Sequence, residues 1–251
     1  MKNRWIITLA LVAVCGNGRA NNLIGNGNFE NGTNGFFSDY TYDGSAEGLY
    51  PEGNYAVVTS ASDVHPNFAY AYDYTYGDGS GHYLVANGAS DITKAVWQSL
   101  QPISVTEAGM AYRFEAYIMT CVPVEDNGPL LRFQVGNGTD WADMGQTFAF
   151  ANDATVGEWN LTFADGVFGA AGDYYIRLLN NTDVAGGNDF GLDNLFFDLR
   201  ANAPSYPGTP GGTPAELNVS PIPEPSSVLL IGCGGLLITG YRRMRKSYGH
   251  F

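Results

Sequence analysis

Ala111-Tyr112-Arg113-Phe114-Glu115-Ala116-Tyr117-Ile118-Met119 changes character at every second residue. Tyr112, Phe114, Ala116 and Ile118 form one apolar face, while Arg113, Glu115 and Tyr117 point the other way. That is the period of a half-buried strand. Segments of the same kind lie on both sides of it. Before it come 55–59, Tyr70–Tyr76, 82–86 and 95–100; after it come 130–135, 146–150, 158–163, 173–179 and 191–197. Each is short, β-branched or aromatic, and bounded by Gly, Asn, Asp or Pro. No window of a dozen residues carries a helical stripe. The pattern predicts an all-β domain, an antiparallel β-sandwich of jelly-roll form.

The ends read differently. Lys2 and Arg4 precede an apolar stretch from Trp5 to Val14, and Gly18-Arg19-Ala20 ends on a small residue. Residues 1–20 are therefore expected to be a signal peptide containing a short helix, cut before Asn21. An alternative is a lipoprotein modified at Cys15. Residues 21–200 make one domain, long enough to bury a sizeable core. Residues 201–225, rich in Pro, Gly and Thr, read as an extended linker. Residues 221–246 hold Pro223-Glu224-Pro225, then an uncharged apolar run, then Arg242-Arg243-Met244-Arg245-Lys246. A transmembrane helix is expected at about 226–241, with the basic cluster at its cytoplasmic end.

Charge narrows the partners. All 25 acidic residues lie between Glu30 and Glu224, where only Lys94, Arg113, Arg132, Arg177 and Arg200 are basic. Five cations against 25 acids leave −20, beyond the −13 of the whole chain. Such a surface repels nucleic acid and anionic lipid. It suits a cation or a neutral polysaccharide, and many of the carboxylates serve only to solvate the surface. Cys121 is alone in the domain, so no internal disulfide can form.

Two family resemblances follow. Pro223-Glu224-Pro225, the apolar segment and Arg242-Arg243 together resemble the PEP-CTERM sorting signal. The resemblance implies processing by an exosortase, a membrane-embedded Cys protease and transpeptidase. The chain would be membrane-anchored first, then released to the cell surface or extracellular matrix. Asn22-Leu23-Ile24-Gly25-Asn26-Gly27-Asn28-Phe29-Glu30 looks like the opening strand of galactose-binding-like jelly rolls, a group that includes many carbohydrate-binding modules. Asn188-Asp189-Phe190-Gly191-Leu192-Asp193-Asn194-Leu195 resembles their closing strand, and 81–88 with Val96-Trp97-Gln98 is similar to the same group. The resemblance implies a structural calcium bridging the first and last strands, held by Glu30 and Asp193. Asn28 stands where that pattern commonly has Asp. Without calcium, Glu30 caps a turn and Asp193 pairs with Arg200 or a backbone donor.

For a sugar ligand the candidates are Tyr72, Tyr74, Tyr117 and Trp141 as flat aromatic faces, with Asp73, Asn87 and Gln98 as hydrogen-bonding partners. The same tyrosines also suit plain cross-strand packing. A glycoside-active enzyme is the rival class, but so many acids make a carboxylate pair uninformative. His65 and His82 lack metal-ligand spacing, and no nucleophile elbow or phosphate loop is present. The expectation is a binding protein without catalysis. A purely structural matrix or adhesion protein is the third reading.

Overall fold

The computed structural model describes residues 21–124, 127–184 and 186–200, together with the strand Ala215–Leu217. The signal segment, most of the linker and the whole sorting signal, including Pro223, Glu224, Pro225, Arg242 and Arg243, lie outside the described residues. Two seven-stranded sheets face each other. The front sheet runs β1 (Phe36–Phe37), β5 (Ala95–Ser99), β12 (Gly172–Asn180), β8 (Leu130–Gly136) and β10 (Phe148–Ala149), with β6 (Ile103–Val105) on β12 and β9 (Trp141–Asp143) on β8. The back sheet runs β14 (Ala215–Leu217), β11 (Asn160–Phe168), β7 (Ala111–Thr120), β13 (Phe190–Arg200), β4 (Tyr83–Ala86), β3 (Asn54–Val58) and β2 (Thr41–Tyr42). Among the described residues only β2–β3 and β11–β14 pair in parallel. The one helical turn among the described residues is the 3₁₀ turn Ala61–Asp63.

Strand β7 keeps its predicted alternation. Tyr112, Phe114, Ala116 and Ile118 are buried, while Arg113, Glu115 and Tyr117 are half-exposed. Its inner face meets the front sheet in one aromatic core. Phe114 of β7 lies 4.5 Å from Phe133 of β8, and Phe168 of β11 lies 4.7 Å from Tyr174 of β12. Truncating such a ring costs about 3–5 kcal/mol, because the cavity left behind adds to the lost transfer energy.

Three expectations are corrected. Tyr70–Tyr76 is a loop, not a strand. Side-chain acceptors take the donors a ladder would need: Asp193 accepts from the N–H groups of Tyr74 and Thr75, and Asp73 from that of Tyr76. The opening stretch 22–30 is likewise a run of turns. Asn26 and Phe29 adopt positive φ (55° and 56°), which interrupts the extended backbone of a regular strand. It is nonetheless pinned to β13, since Leu23 N–H donates to the Phe197 carbonyl at 2.9 Å. Finally, Ala215–Leu217, inside the stretch read as a linker, forms β14 against Gly166–Phe168 of β11.

Candidate functional site

The outer face of the front sheet carries a row set by strand register. Phe37 opposes Gln98, Gln98 opposes Arg177, Arg177 opposes Gln134, and Gln134 opposes Asp143. Five strands spaced at about 4.8 Å make this row roughly 19 Å long. Two residues along, on the same face, Tyr175, Gly136 and Trp141 form a second row.

Hydrogen bonds order the first row. Arg177 Nε donates to Gln134 Oε1 at 2.8 Å, and Gln134 Nε2 donates to Asp143 Oδ1 at 2.7 Å. Arg132 Nε sits 3.4 Å from the same Asp143 oxygen as an ion pair, without hydrogen-bond geometry. The Trp141 indole lies across Gly136. A β-carbon at 136 would meet the indole ring at 2.8 Å and run into the Asp140 carbonyl. The Arg177 guanidinium stacks 4.1 Å from the centroid of Trp141. The hairpin that presents Trp141 turns on Asn137–Asp140. Gly138 has φ 92°, and the Asn137 side chain accepts from Thr139 and Asp140.

The outer face of the back sheet is closed on itself. The Tyr74 ring stacks on Tyr117 with centroids 3.4 Å apart. Hydrogen bonding from Tyr74, with burial, pushes the Tyr117 hydroxyl up to about 12. The hydroxyls of Tyr70 and Tyr72 bond each other at 2.7 Å, and Trp159 Nε1 donates to the Tyr72 carbonyl. Arg113 lies over Phe163 and pairs with Glu115 and Asp165.

The sugar-contact candidates are thus divided. Gln98 and Trp141 share the front face; Tyr72, Tyr74 and Tyr117 share the back. Asp73 and Asn87 have buried side chains engaged in holding loops. Asn87 holds the carbonyls of Leu49 and Tyr50, anchoring a loop. Asp73 accepts from Tyr76 through Oδ2, while its Oδ1 is buried without a partner. Arg177, Gln134, Asp143, Arg132 and Tyr175 were not singled out by the sequence. The usable signal was the Asn137-Gly138 turn, which marks a hairpin and aligns Trp141 with Gly136.

The calcium residues do not fit an ion as placed. Glu30 and Asp193 both reach the 73–82 segment, but by separate contacts. Glu30 accepts the His82 N–H through Oε1, at 3.0 Å, and faces His82 Nδ1 at 3.4 Å. Asp193 Oδ2 takes Tyr74 N–H, Thr75 N–H and the Thr75 hydroxyl, while Oδ1 takes Asn194 N–H. Donors surround it, where a cation needs uncommitted oxygen lone pairs. Asn28 makes no side-chain hydrogen bond among the described residues. Among those residues no three His, Cys, Asp or Glu side chains converge to hold a metal ion. Burial pushes the Asp193 carboxyl up to about 7, and the Asp189 carboxyl up to about 6.

No family model matches the chain, and no curated protein does. Among solved structures it is similar to the CBM22-1 xylan-binding domain of Xyn10C from Paenibacillus barcinonensis, with 13% identity and a TM-score of 0.43 over 68% of this chain and 90% of that one. It is similar to a family 16 carbohydrate-binding module, with 17% identity and a TM-score of 0.41 over 70% and 99%. It is also similar to the Stig cyclase Fisc from Fischerella sp. TAU, with 13% identity and a TM-score of 0.49 over 72% and 98%. Binding modules and an enzyme stand side by side among these neighbours, and they assign neither a ligand nor a reaction.

Proposed function

We propose that this is an exported surface or matrix protein whose front face binds a polysaccharide chain, without catalysis. The observation that carries the reading is the row Phe37, Gln98, Arg177, Gln134 and Asp143, with Trp141 laid across Gly136 beside it. An aromatic surface flanked by amide, guanidinium and carboxylate groups suits the apolar side and the hydroxyls of a pyranose. The row is long enough for several rings. Asp143 already holds Gln134 and pairs with Arg132, and Asp39 Oδ2 accepts the Ala95 N–H.

The test is electrophoresis of the protein through gels containing neutral and uronate-bearing polysaccharides. Retardation by at least one, lost in Trp141→Ala at unchanged thermal melting, is the expected result. No retardation by any polymer removes the reading and leaves the purely structural one.

Delivery is part of the proposal and is supported by the sequence alone. The N-terminal signal starts export, and the basic cluster after the apolar run halts it. An exosortase then acts near Pro223-Glu224-Pro225. Mass spectrometry of the surface-associated protein should find a C-terminus well before Phe251. A mature peptide ending at Phe251 would refute processing.

A further inference from the structure

Arg177 is the anomaly of the front face. Its Nε is held by Gln134 and its plane by Trp141, yet neither terminal nitrogen has a hydrogen-bond or ion-pair partner among the described residues. The protein has acids in excess, and its other well-placed arginines use them. Arg113 pairs with Glu115 at 2.6 Å and with Asp165 at 3.0 Å, and Arg132 pairs with Asp143. Among the described residues no carboxylate stands within ion-pair distance of Arg177. Asp143 is committed to Gln134 and Arg132, and Asp39 Oδ2 to the Ala95 N–H. A half-buried guanidinium held flat by its neighbours is already ordered for a bidentate partner, so little rotamer freedom is lost on binding.

We propose that Arg177 receives the carboxylate of a uronic acid unit in the glycan that this face binds. The inference rests on the glycan-binding reading above and adds the class of sugar. It agrees with the electrostatics of the site. Burial, and next the neighbouring Arg132, push the Arg177 pKa below its ordinary value, with Asp39 and Asp143 pulling the other way from beyond ion-pair distance. The net −18 of residues 21–200, five cations against 23 acids, opposes a densely anionic polymer. That repulsion is screened beyond about 8 Å at physiological salt, so a single contacting carboxylate is exempt from most of it. The matching ligand is a mainly neutral chain with occasional uronate units.

The experiment uses three forms of the backbone that retards the protein most in the gel panel. One carries a uronic acid, one is the same chain after carboxyl reduction, and one carries a sulfate ester instead. Calorimetric titration should show the uronate form binding at least tenfold tighter than the reduced form. In Arg177→Gln that ratio should fall to about one. Arg177→Lys should recover only part of it, since a point charge lacks the fork. Equal binding of uronate and reduced forms to the wild type overturns the inference while the glycan reading stands. A ratio that persists in Arg177→Gln also overturns it. Sulfate binding as tightly as uronate would show a site for any oxyanion and defeat the carboxylate assignment. If no polymer in the panel retards the protein, the reading and the inference fall together.

Discussion

Each sheet carries an arginine stacked on an aromatic ring, in opposite surroundings. On the back face Arg113 lies 4.4 Å from the Phe163 centroid and pairs with both Glu115 and Asp165. The tyrosines beside it pair with one another, Tyr74 on Tyr117 and Tyr70 with Tyr72. On the front face Arg177 stacks on Trp141 with one neutral hydrogen bond, to Gln134. A face whose charges and hydroxyls satisfy each other contributes to stability. A face that orders its polar groups and leaves valences open is prepared for a ligand. Aromatic content alone does not separate the two, since the back face has more exposed tyrosine.

The largest test sets stability against binding through pH. Asp193 and Asp189, buried in β13 and just before it, have carboxyl pKa values pushed up to about 7 and about 6. In the unfolded chain both titrate near 4. Between those limits the native state binds more protons than the unfolded one, so stability falls as pH rises from about 4 to about 7. The change is on the order of 6 kcal/mol. Melting should therefore be higher at pH 5 than at pH 8, whereas the front-face guanidinium keeps its charge throughout. A melting temperature that rises from pH 5 to pH 8 would break this account of the back sheet.

Next comes Trp141→Ala, which should weaken glycan binding by about 2 kcal/mol, roughly 30-fold, with melting little affected. Gly136→Ala should cost about 1–3 kcal/mol in stability, because the new carbon meets the indole and the Asp140 carbonyl. It should also lower affinity by displacing Trp141. Normal affinity in a folded Gly136→Ala protein would dissociate the platform from the ligand.

Smaller still is Tyr74→Ala. Losing the stack on Tyr117 should cost about 1 kcal/mol, a melting decrease of about 2–4 °C, with glycan affinity unchanged. A binding defect there would move the site to the back face and reverse the comparison. The smallest expected effect is that of calcium. With Asp193 enclosed by donors, melting in excess calcium and in chelator should coincide. A clear rise with calcium would show that the protein binds the ion and would overturn this reading of Asp193.

The all-β class, and the strands of the domain with clear alternation, were legible in the sequence, because burial on one side of a sheet imposes a period of two. Strand β7 reads off residue by residue, from Tyr112 to Ile118. Charge was legible too: the acids that repel nucleic acid are counted without coordinates. The tyrosines at 70, 72, 74 and 76 misled for a physical reason. Alternation is necessary for a strand but does not supply a partner, and Asp193 and Asp73 captured the N–H groups that a ladder would have used.

What only the tertiary structure decided is which side chains share a face. Gln98, Gln134, Asp143 and Arg177 come from four strands, of which only β8 and β9 are neighbours in the chain, and register aligns them. A slip of one residue in any pair would turn that side chain into the core. Trp141 could be named from its chemistry, and the Asn137-Gly138 turn points to its place opposite Gly136, but nothing local names the arginine stacked on it. Composition and period are local properties that the chain carries in order. Pairing between strands is long-range, settled by the packing of the whole core, and it is pairing that makes the face.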